Sequence, residues 1–119
     1  MKDPAWEVRS WAAHHIDPSR LPEMVGDPDF AVRCEVAKLI DPSWLPEMMV
    51  DPEWQVRREV ARRIDESRLP EMMGDPEWTV RYWVAKRISS RYLSHMFMQE
   101  TYSSSVVTVL IERLALPHL

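Results

Sequence analysis

A single cysteine, Cys34, and two glycines are all that this chain of 119 residues has of either type. One cysteine excludes an intrachain disulfide and any metal or iron–sulfur centre built on several cysteines. No glycine-rich phosphate loop, Gly-x-Ser-x-Gly elbow or Cys/His pairing is present. His14, His15, His95 and His118 include no pair at i and i+4, so the metal-binding helix motif is absent as well. No stretch of about 18 uninterrupted apolar residues occurs and no apolar leader follows Met1-Lys2, so a soluble cytoplasmic protein without membrane association is expected. The net charge of −4 gives no general pull toward nucleic acid or anionic lipid. Nothing here assembles a catalytic or cofactor site, so no enzyme, no cofactor and no metal are expected.

What the chain does have is a repeat. Asp3, Asp27, Asp51 and Asp75 each open a copy of one unit, best seen in 51–74, DPEWQVRREVARRIDESRLPEMMG. The copies run 3–26, 27–50, 51–74 and 75–98 within a single domain of 1–119, a row of like units that stack to share a core. Asp is a strong N-cap, Pro is tolerated best at the first helical position, and Glu53 sits where the helix dipole favours an anion. These residues predict a helix start at each Asp-Pro. Trp54, Val56, Val60, Ala61 and Ile64 then follow at the spacing of one helix face, while Gln55, Arg58, Glu59, Arg62 and Arg63 take the opposite one. Asp65, Ser67 and Pro70 break the period, and too few residues remain before Asp75 for a second full helix with two loops. A single 3₁₀ or short helical turn is expected there.

The other units repeat this with changes. The first keeps Trp6, Val8, Arg9, Ala13 and Ile16, and the second puts Phe30 in place of the Trp. The fourth is intact through Ile88 and then drifts, as a terminal capping repeat does. From Gln99 the register is lost. Ser103 to Ser105 look like a helix start, and a C-terminal capping helix over about 103–115 presents Val106, Val107, Val109, Leu110, Ile111 and Leu114 on a wide apolar arc. The first unit has no cap before it, which leaves room for a longer array.

Asp-Pro-x-x-x-Val-Arg-x-x-x-Ala, a helix-ending Ile, Leu-Pro and a return to Asp-Pro resemble the leucine-rich repeat variant family over about residues 3 to 98. The resemblance implies an all-α, right-handed solenoid of alternating α and 3₁₀ helices. One member of that family carries an iron–sulfur cluster in a cysteine-rich segment before its repeats; this chain lacks those cysteines, so the cluster is not carried over. No agreed activity comes with the family.

Arg9, Arg33, Arg57 and Arg81 recur inside the apolar arc, where an unpartnered charge is costly. The repeated carboxylates are the expected partners, from the cap set Asp3, Asp27, Asp51 and Asp75 or the second set Asp17, Asp41 and Asp65. A structural ladder is preferred to an anion-binding row. Trp6, Phe30, Trp54 and Trp78 are expected to pack between units, and Met48-Met49, Met72-Met73 and Met96-Phe97-Met98 to fill core gaps.

Function is then left to the non-copied helix face. Trp11, His14, His15, Lys38, Arg58, Arg62, Arg63, Tyr82, Trp83, Lys86 and Arg87 are its candidate partner-binding residues, because exposed aromatics beside cations anchor interfaces. The plainer reading makes Glu35 with Lys38, and Glu59 with Arg62 or Arg63, ordinary same-helix pairs. A protein-interaction scaffold is expected, with self-association through the first unit or the C-terminal helix as one mode. The alternative is nucleic-acid binding along the basic strip Lys38, Arg58, Arg62, Arg63, Lys86 and Arg87, which the net acidity disfavours.

Overall fold

The structure, a computed structural model, describes residues 5–100 and 103–115. These residues are helical and contain no strand. The α-helices α1 (Ala5–His15), α2 (Phe30–Leu39), α3 (Leu45–Met48), α4 (Trp54–Arg63), α5 (Trp78–Arg87), α6 (Leu93–Gln99) and α7 (Ser104–Ala115) alternate with 3₁₀ helices over Pro18–Met24, Pro42–Trp44, Glu66–Met72 and Ser90–Tyr92. Each unit is thus one long helix and one short segment. The short segment is purely 3₁₀ in the first and third units and continues into α3 or α6 in the second and fourth.

The helix starts correct one expectation. Asp27, Asp51 and Asp75 do not cap the long helices directly. Each carboxylate accepts the backbone N–H two residues on, at 2.9 Å from Asp29, Glu53 and Glu77, and the helix begins one residue later at the aromatic. This is an Asx turn: the short side chain closes Asp-Pro-x onto itself before helical geometry is reached. The third residue becomes the N-cap, with Asp29 and Glu77 in extended backbone, and Asp29 accepts from the Ala31 N–H at 2.8 Å. The expected cap Asp3 lies outside the described residues, as does His118.

The second carboxylate set, one of the two candidate partner sets for the arginines, is used locally. Asp17, Asp41 and Asp65 cap the 3₁₀ segments by accepting from the backbone of Ser19, Ser43 and Ser67, each at 2.9 Å. Hydrogen bonds from those serines hold all three carboxyls below the usual carboxylate range.

The chain folds as two compact units, one running to Arg63 and one from Ile64. In the first, α2 packs against both α1 and α4, and Val32, Val36, Ala37, Ile40, Leu45, Val56, Val60 and Ala61 are sealed from water. In the second, α5 packs on α7 and on Glu66–Met72, with Leu69, Val80, Val84, Ala85, Ile88, Val106 and Leu110 fully buried. Full burial of one such Val, Leu or Ile stabilises by roughly 1.5–3 kcal/mol.

Several residues expected in the core are not there. Val8 is 66 % exposed where its counterparts Val32, Val56 and Val80 are completely buried, because no described element covers that side of α1. Trp78 is 45 % exposed, whereas Trp6, Phe30 and Trp54 are half-buried. Standing at the first helical position, such an aromatic reaches the rim of the core instead of its centre. In each methionine pair only the first member is buried, as Met48, Met72 and Met96, since neighbours on a helical turn point about 100° apart. On α7 the buried arc is narrower than expected: Val106, Val109 and Leu110 face α5 and α6, while Ile111 and Leu114 face outward.

Candidate interaction surface

The arginines of the repeated Val-Arg pair reach forward to the next Asx turn. Arg9 donates from Nε and Nη2 to the two Asp27 carboxylate oxygens at 2.7 and 3.1 Å, and Arg33 grips Asp51 the same way at 2.8 and 3.2 Å. A third donor, Nη1, goes to the backbone carbonyl of the unit's own opening Asp: Arg33 to Asp27, Arg57 to Asp51 and Arg81 to Asp75, at 2.7, 2.8 and 2.7 Å. Two-pronged guanidinium–carboxylate pairing is strong because both groups are planar and charged. Burial works against ionisation of Asp27, yet hydrogen bonds from Arg9 and the Asp29 N–H, together with the nearby Arg9 and Arg33 charges, hold its carboxyl below the usual range. The Asp51 carboxylate in turn raises the affinity of Arg33 for its proton, against the cost of burial.

Sequence alone left two carboxylate sets open and named no acceptor for the last arginine. Arg81 is met by Glu100, whose two oxygens accept Nε and Nη2 at 2.7 and 3.0 Å. Glu100 also accepts the Ser103 N–H at 3.1 Å, as Asp27 accepts that of Asp29. The signal was present but displaced: Glu100 follows Arg81 by one residue more than Asp51 follows Arg33.

A second arginine row, expected to stand free on the open face, turns back to backbone carbonyls. Arg63 donates Nη1 and Nη2 to the carbonyls of Ala37 and Ile40 at 2.6 and 2.7 Å, and Arg87 donates to that of Ile64 at 2.6 Å. Arg113 on α7 reaches Ala85 and Ile88 at 2.9 and 2.6 Å, the counterparts of the pair held by Arg63. The physical reason is the shortage of donors at a helix C-terminus, whose last carbonyls have no intrahelical partner. Arg63 and Arg87 are therefore half-buried, with donors committed to backbone carbonyls of the scaffold.

What remains exposed differs from helix to helix. On α1, Trp11 is 62 % exposed and stacks on His15 with ring centres 4.0 Å apart, while His15 Nδ1 donates to the Trp11 carbonyl at 2.8 Å. His14 meets Glu35 of α2 at 2.7 Å, and Lys38 donates to the other Glu35 oxygen at 3.0 Å. Burial disfavours the charged Glu35, but hydrogen bonds from Lys38 and His14 outweigh it and keep the carboxyl below its usual range.

On α4, Glu59 is buried, contrary to its expected place on the outer face. Arg62 Nη1 lies 3.2 and 3.4 Å from its two oxygens and Arg58 Nε lies at 3.9 Å, so the carboxylate is compensated where it sits. Arg58 is half-buried over the Trp54 ring at 5.4 Å. Lys38, Glu59, Arg62 and Arg63 line a cavity of about 280 Å³. On α5, half-buried Tyr82 and Trp83 meet edge to face at 5.7 Å, and Lys86 stands over both rings at 5.1 and 5.6 Å. Cys34 is half-buried, and burial pushes its thiol up to about 11. Among the described residues no group of three or more His, Cys, Asp or Glu is arranged to hold a metal, and no helix is long and apolar enough to cross a membrane.

Helices that alternate between a long α and a short, largely 3₁₀ segment, tied by recurring arginines, define an all-helical repeat protein. Its fold is that of a solved protein described as a leucine-rich repeat variant with a novel repetitive structural motif: the two superpose with a TM-score of 0.86 at 29% sequence identity, over 94% of this chain and 47% of the other. This chain spans about half the length of that structure. No family model and no curated protein matches the sequence.

Proposed function

We propose that the chain is a non-enzymatic scaffold that holds a partner protein on the helix face whose residues are not copied between units. One observation carries the reading. The exposed position of His14 in α1 holds Lys38, Arg62 and Lys86 in α2, α4 and α5, and the half-buried position of Ser10 holds Cys34, Arg58 and Tyr82, while Val32, Val56 and Val80 in the core do not change. A backbone kept constant by its core, with variable chemistry on its outside, is how repeat proteins present recognition surfaces. Trp11 supplies the exposed aromatic anchor such a surface needs.

The test is affinity capture from the native cell with wild type and Trp11→Ala, followed by binding measurements on whatever is captured. Capture by wild type and a loss of at least tenfold in affinity for Trp11→Ala is the expected result. Equal capture by both, or none by either, would remove the reading. Nucleic acid is the competing partner, and the net charge of −4 and the donor that Arg87 spends on the Ile64 carbonyl argue against it. A gel shift of mixed oligonucleotides at low salt should therefore show no retarded band, since phosphate binding is strongest there.

A further inference from the structure

We propose that the cavity between α2 and α4 receives a carboxylate of the partner, an Asp or Glu side chain within an acidic peptide segment. This rests on the scaffold reading and names the chemistry that one part of the face accepts. Three cations, Lys38, Arg62 and Arg63, line the cavity against one carboxylate, Glu59, so its field is positive on a chain whose net charge is −4. Arg63 is immobilised by the Ala37 and Ile40 carbonyls, which fixes one charge in place before any ligand arrives. Lys38 gives one of three ammonium donors to Glu35 and is half exposed at the mouth. A preorganised cation next to an adaptable one is an economical way to seat an anion, because little side-chain freedom is lost on binding.

Size and charge select the ligand class. About 280 Å³ accommodates a carboxylate with its methylene stem and a few waters. With Glu35 counted beside Lys38, the three cations face two carboxylates, Glu35 and Glu59, and leave an excess of one positive charge. A singly charged carboxylate balances that excess, whereas a doubly charged phosphate overshoots it and leaves net repulsion. A phosphodiester strand also needs cations spaced along a track, and Lys38, Arg62 and Arg63 converge on one cavity.

Fluorescence anisotropy with labelled hexaglutamate, hexalysine and a single-stranded oligothymidylate tests this on the full chain. Hexaglutamate should bind at low salt and weaken at moderate salt, and hexalysine should not bind. Lys38→Glu, a change at an exposed position, should lower hexaglutamate affinity by at least tenfold. Arg62→Lys, which keeps the charge beside Glu59, should retain most of it, and Arg20→Ala, at an exposed site where Arg20 pairs with Glu23, should change nothing. Circular dichroism melts confirm that each variant is folded. Absence of hexaglutamate binding, binding unaffected by Lys38→Glu, or tighter binding of oligothymidylate would overturn the proposal. If Lys38→Glu still captures the partner that Trp11→Ala loses, the carboxylate site is wrong and the scaffold reading survives. If nothing is captured by wild type, the scaffold reading fails whatever hexaglutamate does.

Discussion

Glu100 holds Arg81 with both carboxylate oxygens, in the geometry by which Asp51 holds Arg33. The C-terminal segment looks unlike a repeat, yet it supplies both polar ties of one: a carboxylate to the arginine of the preceding long helix, and in Arg113 a cation to that helix's last carbonyls. With Val106 and Leu110 completely buried against the same unit, α7 acts as a degenerate fifth repeat shifted in register. Ion pairs and helix ends demand particular groups at particular places, whatever sequence spacing delivers them.

Removing either carboxylate should therefore cost about the same. Glu100→Ala and Asp51→Ala each leave a largely buried guanidinium without its acceptor, and breaking one side of such a pair destabilises by roughly 3 kcal/mol. Arg9→Ala should cost less than Arg33→Ala, because the Arg9 side chain is 29% exposed and that of Arg33 only 12%. Urea melts of the four variants check the order, and an Arg9→Ala loss equal to that of Arg33→Ala would contradict it.

Leu39 occupies the position of Arg63 and Arg87, and it is partly exposed. Its replacement by arginine should reach the carbonyls of Ala13 and Ile16, which correspond to the pair that Arg63 holds. A gain of about 1 kcal/mol is expected for Leu39→Arg, the upper part of what a cation at a helix C-terminus contributes. Arg63→Ala should lose a similar amount. Thermal midpoints moving in opposite directions for the two variants are the readout.

Acid should loosen the repeat that opens at Asp27 in a way that names its residues. Asp27 and Glu35 are both held below the ordinary carboxylate range in the fold. A depressed carboxyl contributes stability that is complete above its unfolded value, about 4. That contribution is lost as the pH falls through the lower folded value, because the unfolded chain binds the proton first. Unfolding free energy measured at pH 7 and at about pH 3 should fall for wild type and fall less for Asp27→Asn, which starts from a lower neutral stability.

Cys34 should be a slow thiol. With its proton held until about pH 11, little thiolate exists at pH 8, and the side chain is half-buried. Reaction with a disulfide reagent at pH 8 should run well behind that of the same protein in denaturant. Equal rates would show that the thiol is open and ionised.

The amino-acid order by itself determined the unit and its alternation of a long helix with a short one, because Asp-Pro punctuation and a 3.6-residue apolar period are local properties. It also pointed to Arg9, Arg33, Arg57 and Arg81 as charges in need of partners, since a guanidinium inside an apolar arc is costly wherever it sits. Which carboxylate answers each arginine was decided only in three dimensions. Asp17 and Asp27 are equally plausible acceptors on paper, and the Asx turn brings Asp27 within reach of Arg9 while Asp17 is spent on Ser19. The same holds for the outer face. A helical wheel places Glu59, Arg63 and Arg87 beside Lys38 and Lys86, but a neighbouring helix lies against Glu59, and a side chain as long as arginine can bend back to carbonyls on the adjoining turn. The wheel knows the direction of a Cβ and nothing of what stands around the far end of the side chain.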